Sequence, residues 1–228
     1  MTDSGVIYCI PFNSDKVLKI DTNVKINGNV TIIDIHLPEE KDAKWCSGAK
    51  SIIDGCIYCM PESANRIMKI DPKDDSFESV GKDLGKRTYK FRGTVANENG
   101  IIYGIPDQSK QIIKIDPTNP DSTSNVGEKA DEYFDCNAGV LGMDGNIYSS
   151  NHKGDDILII DVAKGSYAWI QNTFQLTNYR WGNPIVGMDG YIYWPPLQAN
   201  RVMRLNTITQ VPELIGHILE MEDQNGME

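Results

Sequence analysis

The chain has 228 residues, and its 32 Asp and Glu outnumber its 22 Lys and Arg, which gives a formal net charge of −10 at pH 7. This acidic balance disfavours a nucleic acid or an anionic membrane surface as the main partner. No apolar stretch approaches the roughly 20 residues that a membrane helix needs, and the first residues lack the basic and apolar segments of a signal peptide. We therefore expect one cytoplasmic domain over residues 1–228, with no nucleic-acid partner and no membrane insertion.

One phrase returns five times along the sequence and indicates a tandem repeat. It consists of an Ile-Tyr pair followed, in four of the five copies, by a proline three residues after the tyrosine. The tyrosines are Tyr8, Tyr58, Tyr103, Tyr148 and Tyr193, which lie 50, 45, 45 and 45 residues apart. A fixed period of this size is typical of solenoids, propellers and other repeat arrays.

Each repeat predicts four short strands in a fixed order. An inner strand ends in a turn such as Asp189-Gly190, because Asp-Gly supplies the positive φ of a tight hairpin, and the Ile-Tyr strand follows. A polar loop then leads to a strand with alternating apolar residues, such as Ile67-Met68-Lys69-Ile70, which ends in type I turn chemistry. A weaker outer strand, such as Phe77-Glu78-Ser79-Val80, closes the unit.

Short strands separated by turn residues, with no helical period over any long window, predict an all-β fold. Four-stranded units of this length are typical of propeller blades, whose radial arrangement leaves only short, protected edges. We therefore predict a five-bladed β-propeller, with blade units at approximately 1–44, 45–89, 90–134, 135–179 and 180–216.

The first blade lacks its own inner strand, because the sequence begins almost directly at an Ile-Tyr strand. The last residues, 217–228, resemble the inner strand around Thr94 to Gly100. We expect them to complete the first blade and close the ring. An acidic tail or a short helix is the alternative for this segment.

The cysteines and histidines form no recognisable metal or redox motif. Cys56 and Cys59 spell C-x-x-C, but no second pair and no neighbouring histidine accompany them, so we expect structural thiols in a reducing compartment. His152 lies in the one loop that lacks the repeat's proline, and it is either a solvated loop residue or a functional one. We expect no cofactor and no metal.

The segments that lead into the inner strands carry the strongest binding signal. We align them so that Cys46, Phe91, Cys136 and Trp181 share one position. In a propeller these segments and the loops after the Ile-Tyr strands lie on one face, called here the loop face, where ligands commonly bind. The predicted ligand-binding residues are Trp45, Tyr89, Arg92, Phe134, Asp135, Asn137, Tyr179, Arg180, Trp181 and His152.

An alternative stays open for the aromatic residues of these segments. Trp45, Phe91 and Trp181, together with Cys136, could be buried between the blades and serve only to hold them together. The aromatic residues Tyr89, Phe134 and Tyr179 are expected to lie further out.

The repeats resemble a known kind of propeller sequence. Asp189-Gly190-Tyr191-Ile192-Tyr193 followed by Asn200-Arg201-Val202 resembles NHL and related repeats. The fuller pattern, D-G-x-I-Y-x-I-P and then V-L-x-I-D-P, is similar to a propeller-like repeat of algal and protist proteins and covers nearly the whole chain. The resemblance implies a propeller and little about activity, because propellers host unrelated functions.

Two classes of function follow from this arrangement. Aromatic rings beside amide and hydroxyl groups suit sugars, and Trp, Tyr and Arg also anchor protein interfaces. We therefore expect a non-enzymatic, lectin-like binding module that holds a glycan or a protein partner on the loop face. In one form of this hypothesis the module is a subunit of a larger assembly.

The alternative is a glycoside hydrolase-type enzyme, which needs two or three carboxylates separated by roughly 5 to 9.5 Å. Asp135 is the only acid in the aligned lead-in segments, and the repeats are fairly even. The sequence therefore favours binding over catalysis.

Overall fold

The computed structural model of the chain describes residues 1–24, 29–37, 43–152, 156–171, 174 and 181–219. This part of the chain is all-β, and it contains no helix that is long and apolar enough to cross a membrane. The strands form five antiparallel sheets, which are numbered here as blades one to five in chain order. The predicted five-bladed β-propeller architecture is confirmed.

Blade one consists of β1 (Val6–Cys9), β2 (Lys16–Asp21) and β3 (Asn29–Asp34). Blade two consists of β4 (Ala49–Lys50), β5 (Ile57–Cys59), β6 (Ile67–Asp71) and β7 (Ser76–Val80), and blade three of β8 (Phe91–Ala96), β9 (Ile102–Pro106), β10 (Ile112–Ile115) and β11 (Thr123–Val126). Blade four consists of β12 (Cys136–Leu141), β13 (Ile147–Asn151), β14 (Ile157–Asp161) and β15 (Ser166–Ile170). Blade five consists of β16 (Ile185–Val186), β17 (Tyr191–Trp194), β18 (Val202–Asn206) and β19 (Val211–Ile215).

The Asp-Gly turns explain why the repeated phrase contains a tyrosine at a fixed position after the turn. The glycine takes a positive φ, for example +82° at Gly145, which a residue with a side chain rarely adopts. The preceding aspartate accepts a hydrogen bond from the tyrosine hydroxyl four residues later. These bonds are Tyr58 to Asp54 at 2.8 Å, Tyr148 to Asp144 at 2.7 Å and Tyr193 to Asp189 at 2.7 Å.

The blades are held together by apolar clusters between neighbouring sheets. Tyr8 and Val17 of blade one pack with Met68 and Ile70 of blade two, and similar clusters join each later pair of blades. Strands of the middle blades, such as β9 and β13, are therefore buried on both faces. Burial on both faces accounts for the nearly continuous apolar sequence of β9.

Blade one differs from the others because it has three strands among the described residues, as the missing inner strand in its sequence predicts. Of the proposed closing segment, only residues 217–219 belong to the described part, and they form no strand. The Leu219 amide donates to the Asn200 carbonyl of blade five at 2.8 Å. Residues 220–228 lie outside the described residues, so closure of the ring stays a prediction.

The structure corrects one register in the aligned lead-in segments. Trp45 bridges to Pro61, and Trp181 bridges to Pro196 in the same way. Each indole N–H donates at 3.0 Å to the carbonyl oxygen of an arginine, Arg66 or Arg201. Trp45 therefore occupies the position that the sequence alignment assigned to Cys46, because the second repeat is one residue longer at this point.

An ion pair ties the three-stranded blade one to blade two. The Lys19 ammonium donates to both carboxylate oxygens of Asp75, at 2.7 and 2.8 Å, and the Tyr8 hydroxyl donates a short hydrogen bond to the same group. Partial burial opposes the charge of Asp75, but the bonds from Lys19 and Tyr8 outweigh this effect and lower the pKa of the carboxyl below its ordinary value.

Replacing Asp75 with Asn should lower the free energy of unfolding at pH 7 by about 1 kcal/mol, because Asn tolerates the left-handed backbone but lacks the charged acceptor. The pKa of Asp75 is lowered on folding, so its contribution is complete above the unfolded-state pKa of about 4 and is lost as the pH falls through the folded-state value. Urea unfolding at pH 7 and at about pH 2.5 measures this, and the gap between the two proteins should close in acid.

Asp121→Asn is the matched control, because Asp121 is exposed on the surface. Its effect should stay within about 0.5 kcal/mol at both pH values. An equal loss in the two variants, or a gap that widens in acid, would contradict the role of Asp75.

Candidate functional site

A chain of backbone hydrogen bonds runs along the loop face from blade one to blade four. Its bonds alternate between two kinds. In one kind a lead-in segment donates to the loop that follows the Ile-Tyr strand of the preceding blade, and in the other that loop donates to the lead-in segment of its own blade. The bonds are Lys44 N–H to Phe12 O, Glu62 N–H to Lys44 O, Lys90 N–H to Glu62 O, Asp107 N–H to Lys90 O, Asp135 N–H to Asp107 O and His152 N–H to Asp135 O, at 2.7 to 2.9 Å. This chain, called here the mouth chain, places equivalent residues of successive blades side by side.

One position of the mouth chain carries ionisable groups in three successive blades. It directly follows the end of the Ile-Tyr phrase, and in blades one to five it is occupied by Phe12, Glu62, Asp107, His152 and Leu197. The backbone is repeated at this position, whereas the side chains change from apolar to acidic to imidazole. The repeats are therefore uneven where they meet the loop face.

Arg92 on β8 stands at the centre of these groups. Its Nε donates to Oδ2 of Asp107 at 2.7 Å, and its Nη1 lies 3.3 Å from Nε2 of His152. Asp107 is nearly fully buried, but the side chain of Arg92 remains 40% exposed. A buried carboxylate thus holds an accessible guanidinium beside an imidazole.

Glu62 and Cys46 lie on the other side of Arg92. Burial raises the pKa of Glu62, and its contact with Cys46 and the charge of Arg92 only partly oppose this shift. Burial also raises the pKa of the Cys46 thiol to about 12, with a further contribution from the negative charge of Glu62. The Cys46 thiol donates to the Arg92 carbonyl oxygen at 3.2 Å. The site therefore contains a protonatable acid that is poorly exposed to solvent.

The cleft above Arg92 has a volume of about 770 Å³. Asp107, Asp135 and His152 line its floor, and Lys86, Arg87 and Tyr89 form its rim. Tyr89 and Asp135 have positive φ values of 55° and 51°, a strained conformation for residues with side chains that often accompanies functional sites. Gln108 donates a short hydrogen bond to Asp135.

The structure brings four of the predicted site residues into this one cleft: Tyr89, Arg92, Asp135 and His152. Asn137 lies close by but is buried, and its amide donates to the Trp181 carbonyl at 3.4 Å. Tyr179 and Arg180 lie outside the described residues. Among the described residues, no set of three or more His, Cys, Asp or Glu side chains is placed to hold a metal ion.

Three aromatic residues of the predicted site do not reach the loop face. Trp45 and Trp181 are buried between blades, as the structural alternative proposed. Phe134 was expected further out, but it is also buried, with its ring 5.0 Å from Tyr167 and 5.9 Å from Trp169. These rings pack in the core because the lead-in segments of blades two, four and five place them in the apolar clusters between neighbouring sheets.

Sequence reasoning missed Glu62 and Asp107, which belong to the site. A sequence pattern indicates both acids, because each of them directly follows the proline of an Ile-Tyr phrase. Comparing that position across the repeats shows two acids and a histidine in successive blades. Both acids lie outside the lead-in segments, in which Asp135 is the only acid.

Solved structures that resemble this chain are β-propeller proteins. A streptogramin B lyase matches with a TM-score of 0.75 and 16% identity over 96% of this chain. A catalytically inactive histidine-to-alanine variant of virginiamycin B lyase from Staphylococcus aureus, with quinupristin, matches with a TM-score of 0.74 and 16% identity over 94% of this chain. The chain spans about two thirds, 67%, of the length of both lyases.

A candidate 6-phosphogluconolactonase from Bacteroides uniformis matches with a TM-score of 0.67 and 16% identity, over 97% of this chain and 70% of its own length. At such low identity these likenesses show the fold alone. No family model matches the sequence, and no curated protein matches it.

These comparisons overturn the expectation of a non-enzymatic binding module, because the propellers that the chain resembles include enzymes. That expectation rested on a single acid in the lead-in segments and on even repeats. The structure contradicts the first ground, because Glu62 and Asp107 add two carboxyl groups beside Arg92 and His152. The second ground is also wrong, because the side chains on the loop face differ from blade to blade and include several ionisable groups.

Replacing Glu62 with Gln should accelerate alkylation of Cys46, because removing the neighbouring negative charge lowers the pKa of the thiol while burial still keeps it raised. We expect the rate with iodoacetamide at about pH 8.5 to rise about threefold to tenfold. Mass spectrometry of the Cys46 peptide over time measures this rate.

Cys56 provides the internal control, because its pKa is also raised to about 12 by burial, with Asp54 and not Glu62 beside it. Its alkylation rate should not change. An increase at both cysteines would indicate general loosening of blade two, and an unchanged rate at Cys46 would contradict the pairing with Glu62.

Proposed function

We propose that the protein is an enzyme that cleaves an ester-type bond by acid–base chemistry in the cleft above Arg92. The observation that carries this proposal is the contact of one exposed guanidinium with both Asp107, at 2.7 Å, and His152, at 3.3 Å. A base and a fixed positive charge at one point of a cleft are the groups that bond cleavage at a carbonyl requires.

The contact between Arg92 and His152 determines which imidazole nitrogen can act as the base. A guanidinium can only donate hydrogen bonds, so Nε2 of His152 must be the acceptor. The imidazole is therefore neutral, with its proton on Nδ1, and Nε2 carries the lone pair. At 3.3 Å the bond is long, so a substrate can replace it at little cost.

Arg92 is suited to stabilise negative charge on a carbonyl oxygen. Asp107 engages Nε, which leaves donors on Nη1 and Nη2 for a ligand. The buried carboxylate also fixes the plane of the guanidinium before substrate binds. A preorganised donor of this kind lowers the barrier because it needs no reorganisation as the charge develops.

The proposed reaction begins with proton transfer to Nε2 of His152. In hydrolysis the proton comes from water, whose oxygen attacks the carbonyl carbon, and Arg92 stabilises the resulting oxyanion. Collapse expels the alkoxide, which takes the proton back from Nε2. In elimination Nε2 takes the proton from a carbon that lies between a second carbonyl and the carbon bearing the ester oxygen, and Arg92 stabilises the enolate of that carbonyl. A C=C bond then forms as the C–O bond breaks, the ester oxygen leaves as part of a carboxylate, and the proton on Nε2 passes to solvent.

The rim of the cleft favours a substrate with anionic or carbonyl groups. Lys86 and Arg87 line it, in a protein whose net charge is −10. The names of the similar propellers support this class, since one is a lyase bound to quinupristin and another a candidate lactonase of a phosphorylated sugar acid. The inactivating histidine-to-alanine change in the lyase adds support for a histidine as the base.

The glycoside hydrolase alternative has less support from the geometry. It requires one free carboxylate and one accessible carboxylic acid. Asp107 is paired with Arg92, Asp135 accepts a hydrogen bond from Gln108, and Glu62 is only 4% exposed.

Two further expectations stay proposals. The kinship of the repeats with NHL-like and algal or protist propellers rests on the D-G-x-I-Y phrases. A cytoplasmic location is supported by the five cysteines, all of which are free thiols.

His152→Ala and Arg92→Lys should each lower kcat/KM by at least about 100-fold, the first through loss of the base and the second through loss of the planar donor. Quinupristin, 6-phosphogluconolactone and a set of simple lactones and phenyl esters are the probes. Mass spectrometry in oxygen-18 water follows the products, because hydrolysis incorporates the label into the acid and elimination gives an unlabelled, unsaturated product.

His217→Ala is the control variant, since His217 is exposed on blade five and away from the cleft. It should retain full activity, and urea unfolding should show that all three variants fold. The proposal fails if no probe is cleaved faster than in buffer, or if His152→Ala retains the activity of the control.

A further inference from the structure

The first and last blades are buried on one face only. In β17 of blade five, Ile192 and Trp194 are buried whereas Tyr191 and Tyr193 are partly exposed. In blade one Tyr8 of β1 and Val17 of β2 are buried whereas the residues beside them are partly or fully exposed. The strands β9 and β13 in the middle blades are instead buried on nearly every residue. Each terminal blade therefore has one face without a neighbour among the described residues.

The open face of blade one is defined here by Ile7, Cys9, Leu18, Ile20 and Ile32, which pair across β1, β2 and β3. Leu18 is 41% exposed and Ile32 is 59% exposed. An apolar groove of about 410 Å³ runs over Cys9, Leu18 and Ile32. Exposed apolar surface of this kind on a sheet commonly marks an interaction site.

The same positions are buried contact positions in the next blade. Ile57, Cys59, Met68 and Ile70 of blade two correspond to Ile7, Cys9, Leu18 and Ile20 of blade one. They pack against Tyr8 and Val17 of the preceding blade and are almost completely buried. The open face of blade one therefore carries, at equivalent positions, the kind of apolar residues with which blade two packs against the blade before it.

The open face of blade five has the complementary chemistry. It is defined here by Tyr193, Val202, Arg204 and Ile215, which lie on one side of paired strands. In blade four the corresponding Tyr148, Ile157, Ile159 and Ile170 pack onto the following blade. Tyr193 is held by Asp189 just as Tyr148 is held by Asp144, so its ring is already oriented for such packing.

We propose that the open face of blade five of one copy packs onto the open face of blade one of a second copy. Among the described residues no strand of blade five pairs with β1, and no apolar cluster joins the two blades, so the two complementary faces do not contact each other in this part of the chain. The contact would continue the packing that joins each pair of successive blades. It is head-to-tail, and such contacts build closed rings or open chains of copies.

Light scattering coupled to size exclusion should show a mass that rises above that of one copy as the full-length protein is concentrated. Leu18→Glu and Val202→Glu should each prevent this, because each places a charge in one of the two faces. An equimolar mixture of the two variants should regain association at about twice the mass of one copy, since one intact blade-one face and one intact blade-five face remain available. Met188→Glu, at a fully exposed residue of a turn, is the control and should associate normally.

Every other outcome overturns the proposal in a distinct way. A wild-type mass of one copy at all concentrations would mean that the faces are covered by the chain itself or stay uncovered. Association that Leu18→Glu abolishes and Val202→Glu leaves intact would indicate a symmetric contact of two blade-one faces. A mixture of the variants that stays monomeric would exclude the head-to-tail geometry.

Discussion

The backbone hydrogen bonds of the mouth chain are the constraint on which the loop face depends. The bonds alternately join a lead-in segment to the loop of the preceding blade, as Lys44 to Phe12, and a loop to the lead-in segment of its own blade, as His152 to Asp135. Buried backbone groups need partners, so the loops cannot shift independently of one another. Side chains that leave this chain therefore start from equivalent, fixed points, and Arg92 meets Asp107 and His152 although they come from different strands.

Side chains are repeated from blade to blade in the core between the sheets, and they vary from blade to blade on the loop face. Between blades the repeated isoleucines and tyrosines pack in equivalent clusters, and substitution there would leave a cavity in the core. On the loop face the backbone is equally regular, but the side chains differ from blade to blade, as Phe12, Glu62 and His152 show. A regular scaffold with an uneven rim is a common basis for function in folds that host many activities.

Much of the fold could be predicted from the sequence, and much of the site could not. The Ile-Tyr phrases and Asp-Gly turns predicted the strands of each blade, since these signals act over a few residues. Trp45 was misaligned because one additional residue in the second repeat is invisible to a fixed period. Phe134 was placed outside because nothing local distinguishes a ring that packs on Tyr167 from one that meets solvent. Glu62 and Asp107 were overlooked because Asp107 reaches Arg92 only when β8 pairs with β9, and Glu62 reaches it only when blades two and three stand side by side.

The sequence by itself determined the repeat, the all-β class, the number of blades and the missing inner strand of blade one, because period, turn chemistry and alternation are local properties of the chain. Only the tertiary structure decided which aromatic residues are core, which acids reach the cleft and which blade faces lack a neighbour among the described residues. Those outcomes depend on contacts between residues about 15 to 60 positions apart, such as Arg92 with Asp107 and His152. Packing between whole blades, which no short segment encodes, sets these distances.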